Sequence, residues 1–385
     1  MKVAVISGYY PNADDPHAGQ SSYQTLRILA SRCDLHVFSP QPAYPRMLKP
    51  PGNFNAARPD EFRPPNDVAA TYVPYPIVPV VSRPFNGFVM SKSLLPLVRR
   101  FQPDILLNYF IYPAGYAAVR IGRTLDVPVV VTAIGSDLNR MNDRFCAGPT
   151  RSTLQRADFV TTVSHDLAKT AIANGADPQR TRAILNGCDI TLFRPQNKVF
   201  ARESLRLDRT AETIVYVGRL DVLKGLVELI DAVAALRSCR PSVHCYIVGD
   251  GPDKPKLEEA IARNGAASYI KILPPCPTTQ VALWMAASDV FALPSYNEGC
   301  PNVVVEALAA GRPVVATRVG GIPELMDDRS GRLVPVKDVP ALTRALDEVL
   351  SATWDANEIA SRHNRSWSEV AGDLYEVLEQ TRKAY

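Results

Sequence analysis

No run of about 18 apolar residues interrupts this 385-residue chain, so nothing in it reads as a transmembrane helix. Nor is there a D-x-D sequence, a G-x-G-x-x-G fingerprint or a C-x-x-C pair. These absences remove the usual carboxylate pair for a metal on a sugar diphosphate, the usual dinucleotide loop and the common zinc and redox motifs. The seven cysteines, at 33, 146, 188, 239, 245, 276 and 300, are odd in number and scattered, and the five histidines join none of them at metal-ligand spacing. They read as reduced thiols filling a core, and no metal is expected. The amino terminus, "MKVAVISGYYP", is too short and too weakly apolar before Gly8 for a signal-peptide core, and reads as a buried first strand of a protein that stays in the cytoplasm.

What is present is a soluble-globular composition, 46% hydrophobic and 21% charged, on a chain long enough for two domains. The net charge of +4 is uneven: residues 1–195 hold 21 Lys and Arg against 14 Asp and Glu, and the rest hold 22 against 25. A basic first half attracts anionic lipid, acidic glycan or nucleic acid; ordinary surface arginine accounts for it equally well.

Short apolar runs followed by helical patterns recur throughout. "VAVISG", "LHVFSP", "DILLNYF", "PVVVTAIGSD" and "FVTTVS" lie in the first half, and "TIVYVGRL", "VHCYIVGDG", "YIKILPP", "VFALPS" and "PVVATRVGG" in the second. Near-continuous apolar strands alternating with helices predict two doubly wound α/β domains built on parallel sheets. Prolines crowd between Pro40 and Pro84, which predicts loop or edge strand, with a lid as one role for it. The domain boundary is expected near "LFRPQNKVF", dividing the chain into 1–193, 194–364 and a last amphipathic helix over 365–385 with Trp367, Val370, Leu374 and Leu378 on one stripe.

In open α/β sheets, ligands bind beyond the carboxyl ends of the strands. After the first strand, a long loop closes on Gly19, where the missing Cβ would let a phosphate approach the backbone. After "TIVYVG" come Arg219 and Lys224, a planar fork and a flexible point charge suited to a diphosphate. The stretch "SYNEGCPNVVVEALAAGRP" places Glu298 before a helix and Glu306 inside it, with Pro301 read as the first helical residue and Gly311 just past the end. Backbone N–H groups of Cys300, Asn302 and Val303 point out of that helix start toward anything negative. Two carboxylates beside an anion site suit sugar hydroxyls, which donate to them.

"GRLDVLKG", "IVGDGP", "PSYNEGCPNVVVEALAAGRPVVATRVGGIPELM" and "ILNGCDITLFRP" together closely resemble family 4 of the nucleotide-sugar glycosyltransferases, the retaining group with the GT-B fold. Upstream text such as "PNADDPHAGQSSYQTLRILA" is similar to the teichuronic-acid and capsule branch. The resemblance implies two Rossmann-like domains facing across a cleft, the acceptor on the first and the donor on the second, and hexosyl transfer without a metal or other cofactor. It assigns Glu298 to the donor sugar, Glu306 to the ribose, Arg219 and Lys224 to the diphosphate with help from Gly19 and the helix start at Pro301, Asn302 and Val303, and the loop at Cys276 to the base. One departure stands out. Where many members carry histidine in a "HG-x-D" segment, this chain has "IGSD", with Ile134 there and Asp137 still in step; His17 is the nearest substitute.

The partners implied are an NDP-sugar, a saccharide or lipid-linked acceptor of cell-envelope or exopolysaccharide synthesis, and the inner face of an anionic membrane, with no nucleic acid. "SKSLLPLVRRF", with Lys92, Arg99 and Arg100 around leucines, fits such docking and equally a solvated helix face. Rival readings are a GT-B epimerase or phosphorylase, and a non-catalytic subunit that binds sugar nucleotides.

Overall fold

The computed structural model describes residues 1–11, 18–44, 68–78, 82–138, 141, 143 and 145–385. They form two compact units, one of Met1–Leu185 with Trp367–Tyr385, the other of Asn186–Ser366.

In the first unit, β1 (Lys2–Ser7), β2 (Asp34–Ala43), β3 (Ala69–Pro76), β4 (Ile105–Tyr109), β5 (Val129–Ala133), β6 (Phe159–Thr162) and β7 (Thr181–Ala183) form one sheet, ordered β3-β2-β1-β4-β5-β6-β7. Every pairing is parallel, and the register sets Val5 between Val37 and Leu107. Val3, Ala4, Val5 and Ile6 are all fully buried, because helices cover both faces and polar alternation would have no solvent side to serve. The proline-rich stretch is edge strand only in part: β3 ends the sheet, with Pro74 opposite Gln41 of β2, whereas Pro40 and Pro42 lie in β2 past Phe38, its last residue paired with β1, and Pro84 lies in a 3₁₀ turn. At the β3 edge a missing N–H breaks no inner ladder. Residues 45–67, the remaining candidate for a lid, lie outside the described residues, as does His17.

The carboxyl-terminal helix, Trp367–Ala384, belongs to this first unit. Trp367, Val370, Leu374, Val377 and Leu378 enter the same core as Tyr23, Leu26 and Leu29 of the helix Gln20–Leu29. Arg182 at 3.3 Å from Asp373 ties the helix to β7.

The second unit repeats the pattern with β8 (Glu212–Val217), β9 (Val243–Val248), β10 (Ile270–Leu273), β11 (Val290–Leu293), β12 (Val314–Thr317) and β13 (Gly331–Val334), ordered β10-β9-β8-β11-β12-β13. All its pairings are parallel as well. In both sheets the order reverses beside the first strand, at β1/β4 and at β8/β11. In open α/β sheets the loops that leave such a pair diverge, and ligands bind at that carboxyl edge.

The unit boundary lies at Asn186, ahead of the expected 194. Asn186 Nδ2 donates to the Cys300 carbonyl at 2.9 Å and Cys188 N–H donates to the Arg365 carbonyl at 3.0 Å, so these residues are stitched into the second unit before the turn at Pro195 is reached. A second correction concerns Pro301. With ψ at 115° it is extended and caps the helix, whose first turn starts at Asn302.

Candidate active site

The loops after β8 and β11 bring together residues 74 apart in sequence: Lys224 Nζ donates to Glu298 Oε1 at 2.6 Å. The side chains keep 27% and 11% of their exposure, so the pair is sheltered yet reachable from solvent. Lys224 ends a short 3₁₀ turn, Val222–Lys224, whose capping Asp221 accepts the Leu223 N–H at 3.0 Å. Gly225 follows with φ at +64°, and a Cβ there would sit 2.1 Å from the Pro294 carbonyl oxygen. Only glycine lets the two loops close to this distance. Tyr296 N–H then donates to the Leu223 carbonyl at 2.7 Å, which fastens the β11 loop to the lysine turn.

Glu298 is held from its other side by the loop after β12. Gly320, at φ +49°, lies so near that a Cβ would fall 1.8 Å from the Glu298 carbonyl oxygen, and Gly321 N–H donates to Gly299 at 3.0 Å. The carboxylate is thus fixed by its backbone as well as by Lys224.

Arg219 leaves β8 in the same loop, but its side chain is 70% exposed and leans toward Asp221 at 3.8 Å rather than toward Glu298. Its carbonyl is better fixed, accepting the buried Tyr216 hydroxyl at 2.8 Å. Burial drives the Tyr216 pKa far above the ordinary phenol value, and the charges of Glu298 and Asp221 push the same way.

The helix Asn302–Ala309 begins where Pro301 caps it without a side-chain bond. Asn186 Nδ2 grips this start, donating to Cys300 O and, at 2.8 Å, to Asn302 Oδ1. Cys300 is buried, its thiol pushed up to about 12 chiefly by desolvation, so it packs and does not react. Val303 is half-buried on the first turn. Glu306, one turn in, is half-buried, and desolvation raises its pKa from 4.5 to about 7. Its charge also lies close enough to lift the Cys188 thiol further, on top of burial. Cys276 sits beyond β10, at the sheet's outer edge, and no hydrogen bond among the described residues joins it to Lys224 or the glutamates.

In the first unit, Gly19 caps the helix Gln20–Leu29 at φ +61°. A Cβ there would meet the Tyr9 carbonyl oxygen at 2.1 Å, so the close approach that glycine permits is taken by the protein's own backbone. Ile134 packs against the hydrophobic core. Asp137 gathers N–H groups: Gly135 at 2.9 Å and Leu138 at 3.1 Å on Oδ1, and Ile111 at 3.0 Å on Oδ2. Burial raises its pKa against those bonds, and it ties the end of β5 to that of β4. Asn186, Gly320 and Tyr216 were not singled out from sequence. The polar "NG" inside the otherwise apolar "AILNGCD" was the one local signal for Asn186.

A cation, a carboxylate and a helix start at the switch of a Rossmann-type sheet suit a phosphorylated, hydroxylated ligand, and two such sheets in one chain are the GT-B arrangement of a glycosyltransferase. Residues 18–192 match the family model "Glycosyltransferase Family 4", and residues 211–352 match "Glycosyl transferases group 1". TuaC of Bacillus subtilis (strain 168), a glycosyltransferase named for teichuronic acid biosynthesis, is 30% identical across 98% of this chain and 94% of its own. A D-inositol 3-phosphate glycosyltransferase of Thermomonospora curvata is 35% identical across 53% of this chain and 52% of its own. Among solved structures, sucrose-phosphate synthase from Thermosynechococcus elongatus superposes with a TM-score of 0.79 at 20% identity, covering 100% of both chains. Anabaena HepE in complex with UDP-glucose gives 0.74 at 20% identity, covering 99% of this chain and 100% of that one. The chain belongs to glycosyltransferase family 4.

Proposed function

We propose that this glycosyltransferase moves a sugar from a nucleoside-diphosphate sugar to a saccharide or lipid-linked acceptor in cell-envelope polysaccharide synthesis, with retention of configuration and without a metal. The observation that carries the reading is the Lys224–Glu298 pair at the β8/β11 switch. A donor offers that pair both a diphosphate for the ammonium and hydroxyls for the carboxylate, so each partner exchanges one charge-assisted bond for another. Charge on the leaving diphosphate is stabilised by Lys224, by Arg219 swung in from solvent, and by the N–H groups at the start of Asn302–Ala309. Glu298 orients the transferred sugar and Glu306 the ribose.

Retention follows if the bond from the anomeric carbon to the phosphate oxygen breaks as the acceptor oxygen attacks from the same face, its proton passing to the leaving phosphate. With the cations and the helix start taking the diphosphate, and no D-x-D sequence in the chain, no metal is needed in this scheme. TuaC's name and the similarity over nearly the whole chain support the cell-envelope setting.

Membrane docking rests on the helix Asn86–Phe101. Lys92, Arg99 and Arg100 are exposed there, Phe88 and Leu97 keep 41% and 37% exposure, and the Arg120 guanidinium lies 4.7 Å over the Phe88 ring. Among the described residues no helix is long and apolar enough to cross a membrane. Sedimentation with anionic and neutral vesicles tests docking, and equal binding to both removes the electrostatic part of it.

The donor is tested by thermal shift with UDP-, GDP- and ADP-sugars. The right one at a hundredfold excess over its Kd stabilises by about 2.7 kcal/mol. A flat response to all three, with transfer undetected, overturns the donor-site reading. Proton NMR of the product's anomeric signal tests retention.

A further inference from the structure

The turn that carries Lys224 is held by a side chain from outside it. Val222 N–H donates to Asp253 Oδ2 at 2.6 Å, and Lys256 Nζ donates to Asp253 Oδ1 at 2.6 Å. Asp253 stands at the cap of the helix Lys254–Arg263, where an aspartate ordinarily accepts from its own helix's first turn. It makes no such bond. The carboxylate is turned to the β8 loop instead, leaving its own helix start without a side-chain cap.

The surrounding backbone repeats the connection. Leu220 N–H donates to the Asp250 carbonyl at 2.9 Å, and Asp253 N–H donates to the Leu220 carbonyl at 3.2 Å. The loops after β8 and β9 are therefore joined on both sides of Asp221, and only the Val222 bond depends on a side chain. The hydrogen bond from Lys256 keeps the Asp253 pKa below the usual carboxylate range, so the acceptor stays ionised at neutral pH.

We propose that Asp253 is a positioning residue for the donor's diphosphate: by holding Val222 N–H it fixes the Val222–Lys224 turn and so the place of the Lys224 ammonium. The inference rests on the donor-site reading above. Asp253 itself touches no reacting atom, and its effect reaches the ligand only through Lys224. That limits its influence to the phosphates, which sets a positioning role apart from general support of the fold.

The test is calorimetric titration with a nucleoside diphosphate and the matching monophosphate, the base chosen by the thermal-shift panel. Asp253→Ala is expected to weaken diphosphate binding about tenfold and monophosphate binding less than about twofold, the scale of one lost charge-assisted bond. Asp253→Asn keeps an acceptor oxygen and should recover most of the loss. Val222→Pro removes the donor N–H at a position preceded by an extended residue, Asp221 at ψ 147°, so it suits proline. It should match Asp253→Ala, and the double variant should bind no more weakly than either single one. If Asp253→Ala does not fold, Val222→Pro carries the test. Unchanged diphosphate affinity in these variants, or monophosphate affinity falling in step, overturns the proposal. Lys224→Ala serves as the control: if it too leaves diphosphate affinity unchanged, the donor-site reading itself fails.

Discussion

Glu306 should cost the empty protein stability and repay it only when a donor is bound, and Glu306→Gln separates the two. Its carboxyl is raised from 4.5 to about 7 by desolvation, the only cause acting on it. That difference corresponds to about 3 kcal/mol against the ionised form in the folded chain. Because the residue is half-buried, water screens part of this, and about 2 kcal/mol is the figure to test. The sign follows from where the proton sits. Below pH 4.5 both folded and unfolded chains hold it; between 4.5 and about 7 the folded chain keeps it while the unfolded chain releases it, so stability falls as pH rises through that window. Above about 7 the full penalty is in place.

Glutamine has the same shape and no charge to desolvate. Melting curves of the ligand-free protein should therefore show Glu306→Gln above wild type by about 5 °C near pH 8, the difference fading toward about pH 5. Donor affinity should move the opposite way, because a carboxylate accepts two hydroxyls at once and an amide presents one acceptor and one donor group. A drop of about tenfold or more near pH 8 is expected. A variant that melts at or below wild type near pH 8, or a gap that does not change with pH, refutes the desolvated carboxylate. A stabilised variant with undiminished donor affinity would leave the desolvation intact and remove the ribose role.

Glu298→Gln frees the Lys224 ammonium from its partner at 2.6 Å, so affinity for the nucleoside diphosphate should rise severalfold while sugar transfer falls at least about a hundredfold; equal affinity in titration calorimetry would mean the ion pair does not compete with phosphate. Gly225→Ala, which needs room where the Pro294 carbonyl oxygen lies 2.1 Å away at φ +64°, should lower the melting temperature by several degrees and weaken donor binding, and an unchanged melt would contradict the close approach. Leu378→Ala, at a fully buried position of the carboxyl-terminal helix, should cost about 3 kcal/mol in urea denaturation of the first unit, and a cost under about 1 kcal/mol would show that the helix adds little to that core.

The strands buried on both faces announce themselves in the sequence as continuous apolar runs, and β1, β4, β8 and β11 were all legible for that reason. The edges were not. β7 is only Thr-Arg-Ala and β13 only Gly-Arg-Leu-Val, short strands whose partners on one side supply much of their reason to exist. The site divides in the same way. Lys224 before Gly225, and Glu298 and Glu306 flanking a helix start, are local patterns and could be read directly. That Lys224 and Glu298 meet could not, because it depends on β8 and β11 being neighbours, which is a property of strand order and not of either segment. Asn186 and Gly320 escaped for the same reason, since each acts on a loop more than twenty residues away. Arg219 shows the converse limit: its place after β8 was legible, but not that its side chain would be 70% exposed and lean toward Asp221. Lys224 and Glu298 satisfy each other at 2.6 Å, whereas Arg219 is exposed. A free phosphate offers this site an exchange for the lysine and nothing for the glutamate, so it must leave a sheltered carboxylate unpaired. Under the proposed donor binding, a sugar diphosphate would repay both. If the donor binds as proposed, the pairing would favour the complete donor over its own leaving group, because only the donor would offer both Lys224 and Glu298 a replacement bond.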